Sequence, residues 1–171
     1  DTSQHSGGDI ITGNEGTVLS GTSMAAPHVA GVAALSVQAH PNWTAPQVAA
    51  SVVSTADPDK VAGQRLTLGG VGLVDAAQAV ATQVTATGDA FRTESGWARE
   101  SALSFGFQES PLGFGGLKTV TLRNDGPTPV TYAVSTTPSA QSQKATVTLS
   151  SKSITVRPGG TAKLVLAVTA A

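Results

Sequence analysis

The chain has 171 residues, a net charge of -1, only 12% charged residues and no cysteine. Its length suits one ordinary domain or two small ones. The sparse, balanced charge offers no footprint for nucleic acid or an anionic membrane, and the lack of cysteine excludes disulfides and thiolate metal sites. No apolar run approaches a membrane span, and no basic-then-apolar leader opens the chain. Small residues dominate and aromatics make up 4%, a composition that suits an extracellular bacterial protein.

Residues 1–20 read as loop and short strand. Asp9-Ile10-Ile11-Thr12 is expected to be a buried strand edge, Gly13-Asn14-Glu15-Gly16 a turn, and Thr17-Val18-Leu19-Ser20 a lead-in to the next element. Gly21-Thr22-Ser23-Met24-Ala25-Ala26-Pro27-His28-Val29-Ala30-Gly31 then puts a glycine-led turn in front of an alanine-rich helix. A serine set there meets unpaired backbone N–H groups and the positive end of the helix dipole. Those donors suit a hydroxyl that attacks a carbonyl, whose oxygen becomes an oxyanion. Pro27 is expected near the first turn, where no intrahelical N–H is lost. From Ser23 to about Ala39 the pattern is apolar or small on nearly every side, so the helix is expected to be buried, with Gly31 and the alanines allowing close backbone approach.

This run resembles the nucleophile segment of the subtilisin-like serine proteases. The resemblance implies that Ser23 is the nucleophile, with its own backbone N–H in the oxyanion hole, and that Gly21, Thr22, Met24, Pro27, His28 and Gly31 support the motif. His28 lies five positions beyond Ser23, about 140° around the helix, so it reads as a packing residue and not as the base. The competing structural reading is a serine that merely caps a helix.

A second helix is expected from Thr44, with Thr44 and Gln47 as a capping box, Pro46 in the first turn, and Trp43 and Val48 as a staple. Asn42-Trp43-Thr44 matches a glycosylation acceptor, but the cap explains Thr44 without sugar. His40 falls at the preceding helix end, where a cationic ring suits the dipole. Residues 57–70 read as loop. Asp75 is then placed as an N-cap with Gln78 three residues on; Gly70-Val71-Gly72-Leu73-Val74-Asp75-Ala76 resembles the closing helix of the same catalytic domains. It lacks the third glycine and the βαβ setting of a dinucleotide loop.

Beyond about residue 83 the period becomes two. Strands are expected at Leu103/Phe105, Val120/Leu122, Val130/Tyr132/Val134, Val147/Leu149, Ile154/Val156 and Leu164/Leu166/Val168, with turns at residues 124–127 and 157–160. Gly106 through Gly116 reads as a long loop, and Trp97 as a packing residue near the junction. The fold class expected is an α/β remnant, mainly helical here, over residues 1–82, followed over 83–171 by an all-β antiparallel sandwich. The phrases at 119–124 and 153–160 resemble the fibronectin-type-III-like module that follows some subtilisin-like domains.

A serine nucleophile needs a base and an orienting acid. The family resemblance puts both before the serine, yet only 22 residues precede Ser23. His5 and Asp9 have no spacing that supports a triad, and the family's oxyanion asparagine has no counterpart. The chain therefore reads as the C-terminal part of a larger secreted endopeptidase, inactive alone, acting on polypeptide substrate and completed by the missing N-terminal part of the catalytic domain. Its apolar helix would expose surface that favours oligomers, partner chains or exchanged segments. No cofactor is identifiable; calcium is frequent in the family, but no metal site is legible in three scattered histidines. Two other readings compete: a sedolisin-type peptidase with a glutamate base, and a binding or structural β-module with a passenger serine segment.

Overall fold

The computed structural model describes residues 19–106, 113–137 and 145–170. The expected strand edge at 9–12, the turn at 13–16, and His5 and Asp9 lie outside them. The described residues open with helix α1, Thr22–Ala39. Gly21 precedes it at φ 153, a conformation L side chains rarely adopt, and its carbonyl accepts from the N–H groups of Met24 and Ala25 at 3.0 and 3.2 Å. Because the helix already starts at Thr22, Pro27 stands inside it, a turn later than the sequence suggests. Its missing N–H leaves the Ser23 carbonyl without an i+4 donor. α1 ends at His40, whose backbone N–H bonds the Ser36 carbonyl at 2.9 Å.

α2, Ala45–Ser54, starts as the Thr44–Gln47 pattern predicts. The backbone N–H and the hydroxyl of Thr44 both donate to Gln47 Oε1, at 2.9 and 2.8 Å. The 57–70 stretch is more ordered than its composition suggests, holding a single 3-10 turn at Pro58–Lys60 and the short helix α3, Leu66–Gly69. α4, Ala76–Ala81, is capped by Asp75, whose Oδ1 accepts the Gln78 N–H at 2.9 Å. Between α3 and α4, Leu73 and Asp57 exchange backbone hydrogen bonds of 2.8 and 2.9 Å. Gly72 makes that crossing feasible: at φ 122, a Cβ there would sit 2.4 Å from the Asp57 backbone.

α1 packs on α4 and α2. Its buried residues are Val32 and Ser36, and the Ser36 hydroxyl donates to the Ala79 carbonyl at 3.4 Å. The expected all-round burial is not met within this chain: Val29, Leu35 and Val37 are exposed. Nor does any atom outside the helix lie within 4 Å of a Cβ built on Gly31, so the anticipated close approach is absent among the described residues.

Eight strands follow among the described residues: β1 Val84–Thr87, β2 Ala90–Thr93, β3 Gly96–Arg99, β4 Phe114–Asn124, β5 Val130–Ala133, β6 Ala145–Leu149, β7 Ser153–Val156 and β8 Thr161–Ala170. They form a four-stranded antiparallel sheet in the order β1-β4-β8-β6 and two ribbons, β2-β3 and β5-β7. The long β4–β8 ladder runs from Phe114 opposite Ala170 to Arg123 opposite Thr161. Phe114 through Gly116, expected as loop, thus belongs to a strand.

No strand forms at Leu103 and Phe105. Phe105 instead meets Phe114 edge-on, ring centroids 5.7 Å apart, and covers Gly116, where a Cβ would come within 2.8 Å of its ring. The turn at 157–160 has Pro158 in second place, Gly159 at φ 64 and a 3.0 Å bond from Gly160 N–H to Arg157 carbonyl, the type II pattern its residues favour. At the other turn, the fully buried Asn124 is the organiser. Its Nδ2 donates to the carbonyls of Thr128 and Val156 at 2.8 and 3.1 Å, and its Oδ1 accepts the Gly126 N–H at 2.8 Å. Val84, Val156 and Leu164 form the buried apolar centre around it.

Candidate active site

Ser23 lies in the first turn of α1 and is exposed to solvent. The first N–H groups of any α-helix lack intrahelical acceptors. Here the Gly21 carbonyl takes Met24 and Ala25, and the Ser23 N–H and hydroxyl have no partner among the described residues. An 18-residue helix stands behind that open amide, so its dipole adds positive potential where an anion would sit. Chemically, this corner can receive a carbonyl oxygen as it acquires charge.

The motif neighbours arrange themselves around this corner without completing it. Gly21 and Thr22 are exposed, and Met24 is half-buried, with its sulfur 4.0 Å from a Cβ built on Gly21. His28, expected to pack, is exposed and its Nδ1–H donates to the Met24 carbonyl at 2.6 Å. The bond ties its ring to the helix backbone, one turn beyond Ser23. Neither His28 nor any other described histidine or carboxylate is hydrogen-bonded to Ser23. His40 is engaged elsewhere: its Nε2–H donates to the Val80 carbonyl at 2.9 Å, and its ring stacks on Trp43 at 3.8 Å and 10°. That bond clamps the end of α1 to α4.

Two other polar groupings have structural explanations. Lys60 lies 3.5 Å from both Asp57 Oδ2 and Asp75 Oδ2. The Gln78 backbone N–H, with help from Lys60, holds the Asp75 carboxyl below its ordinary range. Lys118 contacts Glu100 Oε1 at 2.6 Å and Asp89 Oδ2 at 3.9 Å. No group of three or more potential metal ligands occurs among the described residues, and no described helix is long and apolar enough to cross a membrane.

Sequence reasoning missed the β2–β3 ribbon. Trp97, expected to pack, is 75% exposed on it. The alternation through 90–99 around Glu94-Ser95-Gly96 could have shown a hairpin, but the strands are only four residues each.

Residues 2–97 match the family model described as the subtilase family. The chain is similar to the Subtilisin-like protease SBT2.4 of Arabidopsis thaliana, 48% identical over 48 residues, which is 28% of this chain and 6% of that protein. It is similar also to the Subtilisin-like protease SBT1.9 of the same plant, 59% identical over 39 residues, 23% of this chain and 5% of the relative. With the Subtilisin-like protease SBT3 of Solanum lycopersicum it shares 44% identity over 52 residues, 30% of this chain and 7% of the relative. The chain thus matches only a small share of the length of these curated relatives. With more than half of its residues inside the family model, the chain belongs to the subtilase family of serine proteases.

Proposed function

We propose that Ser23 is the nucleophile of a subtilisin-type serine endopeptidase whose base and orienting acid come from residues outside this sequence. The observation that carries the reading is an exposed hydroxyl at the start of α1, beside its own amide, which has no partner among the described residues. In the reaction, Ser23 Oγ adds to the peptide carbonyl while its proton passes to the supplied base. The Ser23 N–H holds the resulting oxyanion. Collapse expels the amine, which takes that proton, and leaves an acyl-serine ester; water then cleaves the ester by the same route. By itself the 171-residue chain has no described base at Ser23 and hydrolyses no peptide on this reading.

In the same reading, residues 1–82 are the C-terminal part of the peptidase domain and 83–171 a fibronectin-III-like sandwich. The buried Asn124 and the β4–β8 ladder support a β-unit of that kind. The composition supports a secreted setting. The exposed apolar side of α1 supports cover by the rest of the catalytic domain. The test is Ser23→Ala in the longer parent protein, assayed on a denatured polypeptide substrate. Hydrolysis should fall to the small residue left by binding and oxyanion contacts; near-normal turnover overturns the assignment.

A further inference from the structure

A groove of 790 Å³ runs between α2 and the β2–β3 ribbon, far along the chain from Ser23. On one side α2 supplies Pro46, Ala49, Ala50 and Val53, the i, i+3, i+4, i+7 spacing of a single helix face. Ala86 and Thr87 of β1 close one flank, and β1 is an outer strand of its sheet. Beside them on the same hairpin, tied by the Gly88–Glu100 and Glu100–Asp89 backbone bonds, residues 97–101 line the groove together with Ala90 of β2. Ala90 is the cross-strand partner of Arg99, and Trp97 stands two residues from Arg99, so all three lie on the ribbon face that lines the groove.

The outer edge of β3 has main-chain groups to offer. β3 pairs only with β2 among the described residues, through a two-residue turn that closes on Thr93 and Gly96. In such a hairpin the closing pair and every second pair beyond it bond inward. The main-chain N–H and C=O groups of Trp97 and Arg99 therefore face away from β2, along a free edge whose side chains line the groove. Their side chains share one face, two residues apart. Trp97 is 75% exposed, and the Arg99 guanidinium has no carboxylate or hydrogen-bond partner among the described residues. Arg92, opposite Trp97 in the register, likewise has none.

We propose that this groove takes an extended peptide of a partner polypeptide as an added strand on β3, with an apolar side chain opposite Trp97 and a carboxylate two residues away opposite Arg99. Strand addition draws affinity from main-chain bonds and selectivity from alternate side chains. An exposed indole beside an apolar helix face suits a large apolar group. The unpaired Arg99 guanidinium, lining the groove, makes the site select for an acidic residue. The inference stands independently of Ser23 and its chemistry.

The test is calorimetric titration of the 171-residue chain with a blocked peptide of threonine and valine carrying one leucine and one aspartate two positions apart. Saturable binding is expected. Exchanging the aspartate for asparagine, or moving it one position along, should weaken binding about tenfold, the loss expected of one charge-assisted hydrogen bond. Methylating the peptide's backbone nitrogens should abolish it. In the protein, Arg99→Gln and Trp97→Ala should each cost about tenfold while the far-UV spectrum stays unchanged. If Trp97→Ala disturbs that spectrum, Trp97→Phe must keep most of the affinity while Arg99→Gln loses it. The proposal is overturned by no saturable heat, by affinity indifferent to the aspartate and to Arg99, or by sedimentation showing the groove closed by a second copy of the chain.

Discussion

Gln47 Nε2 donates to Asp125 Oδ2 at 2.9 Å, joining the first turn of α2 to the residue just after β4 across 78 positions of sequence. Gln47 already closes the helix start through Thr44, and Asp125 already receives Arg123 Nε at 2.7 Å. One glutamine therefore both caps a helix and ties it to the sheet.

Asp125→Ala should lower stability by about 1–2 kcal/mol, since it strips hydrogen bonds from two neighbours at once. A double-mutant cycle with Gln47→Ala should return a coupling of about 1 kcal/mol. Chemical denaturation is the measurement; strictly additive losses would show that the bond contributes nothing.

Asn124→Ala should be more severe. It leaves the Gly126 N–H and the Thr128 and Val156 carbonyls without the bonds they receive from a fully buried side chain. A loss of about 2–4 kcal/mol is expected from orphaned buried groups. Asn124→Asp, which sets a buried carboxylate oxygen against the Thr128 and Val156 carbonyls, should melt no higher than alanine at neutral pH.

Two glycines should respond in opposite directions. Gly72→Ala forces a Cβ to 2.4 Å from the Asp57 backbone at φ 122 and should cost about 2 kcal/mol or more. Gly31→Ala adds its methyl to open space within α1 and should stabilise the isolated chain by about 0.5–1 kcal/mol. Melting curves of both variants check the pair. A neutral Gly72→Ala would mean that the Asp57–Leu73 crossing is not held as described.

Asp75 sets an acid limit. Its carboxyl titrates below its ordinary value because the Gln78 backbone N–H, chiefly, and Lys60 favour the charged form. A depressed folded value means the stabilisation is fully present above the ordinary carboxylate range. It is lost as pH falls from about 4, the unfolded value, through the lower folded one. Asp75→Asn should flatten the pH dependence of the melting temperature below about pH 4 and leave the curve near neutrality parallel to wild type. An unchanged acid limb would remove Asp75 from the explanation.

The local signals in the chain were the legible ones. The Thr44–Gln47 pairing, the Asp75 cap and the Pro158-Gly159 turn depend on a few adjacent residues, and each is found where its residue types require it. Long-range decisions were not legible. Phe105 alternates with Leu103 like a strand, yet no partner strand is offered and its ring finds Phe114 and Gly116 instead. The apolar pattern of α1 implies burial that needs more protein than α2 and α4 supply. Pro27 misled because the helix begins earlier than the proline alone suggests. At the candidate site, the subtilase resemblance was readable from the residues around Ser23, whereas no base was, since a triad is assembled from distant parts of a chain.

The most direct measurement maps the adduct formed when the proposed parent protein reacts with a fluorophosphonate probe, in which an activated serine oxygen displaces fluoride from phosphorus. Peptide mass spectrometry should find the phosphonate on Ser23, with labelling lost on denaturation and in Ser23→Ala. A stoichiometric adduct on any other residue, or an active peptidase that leaves Ser23 unmodified, would contradict the account.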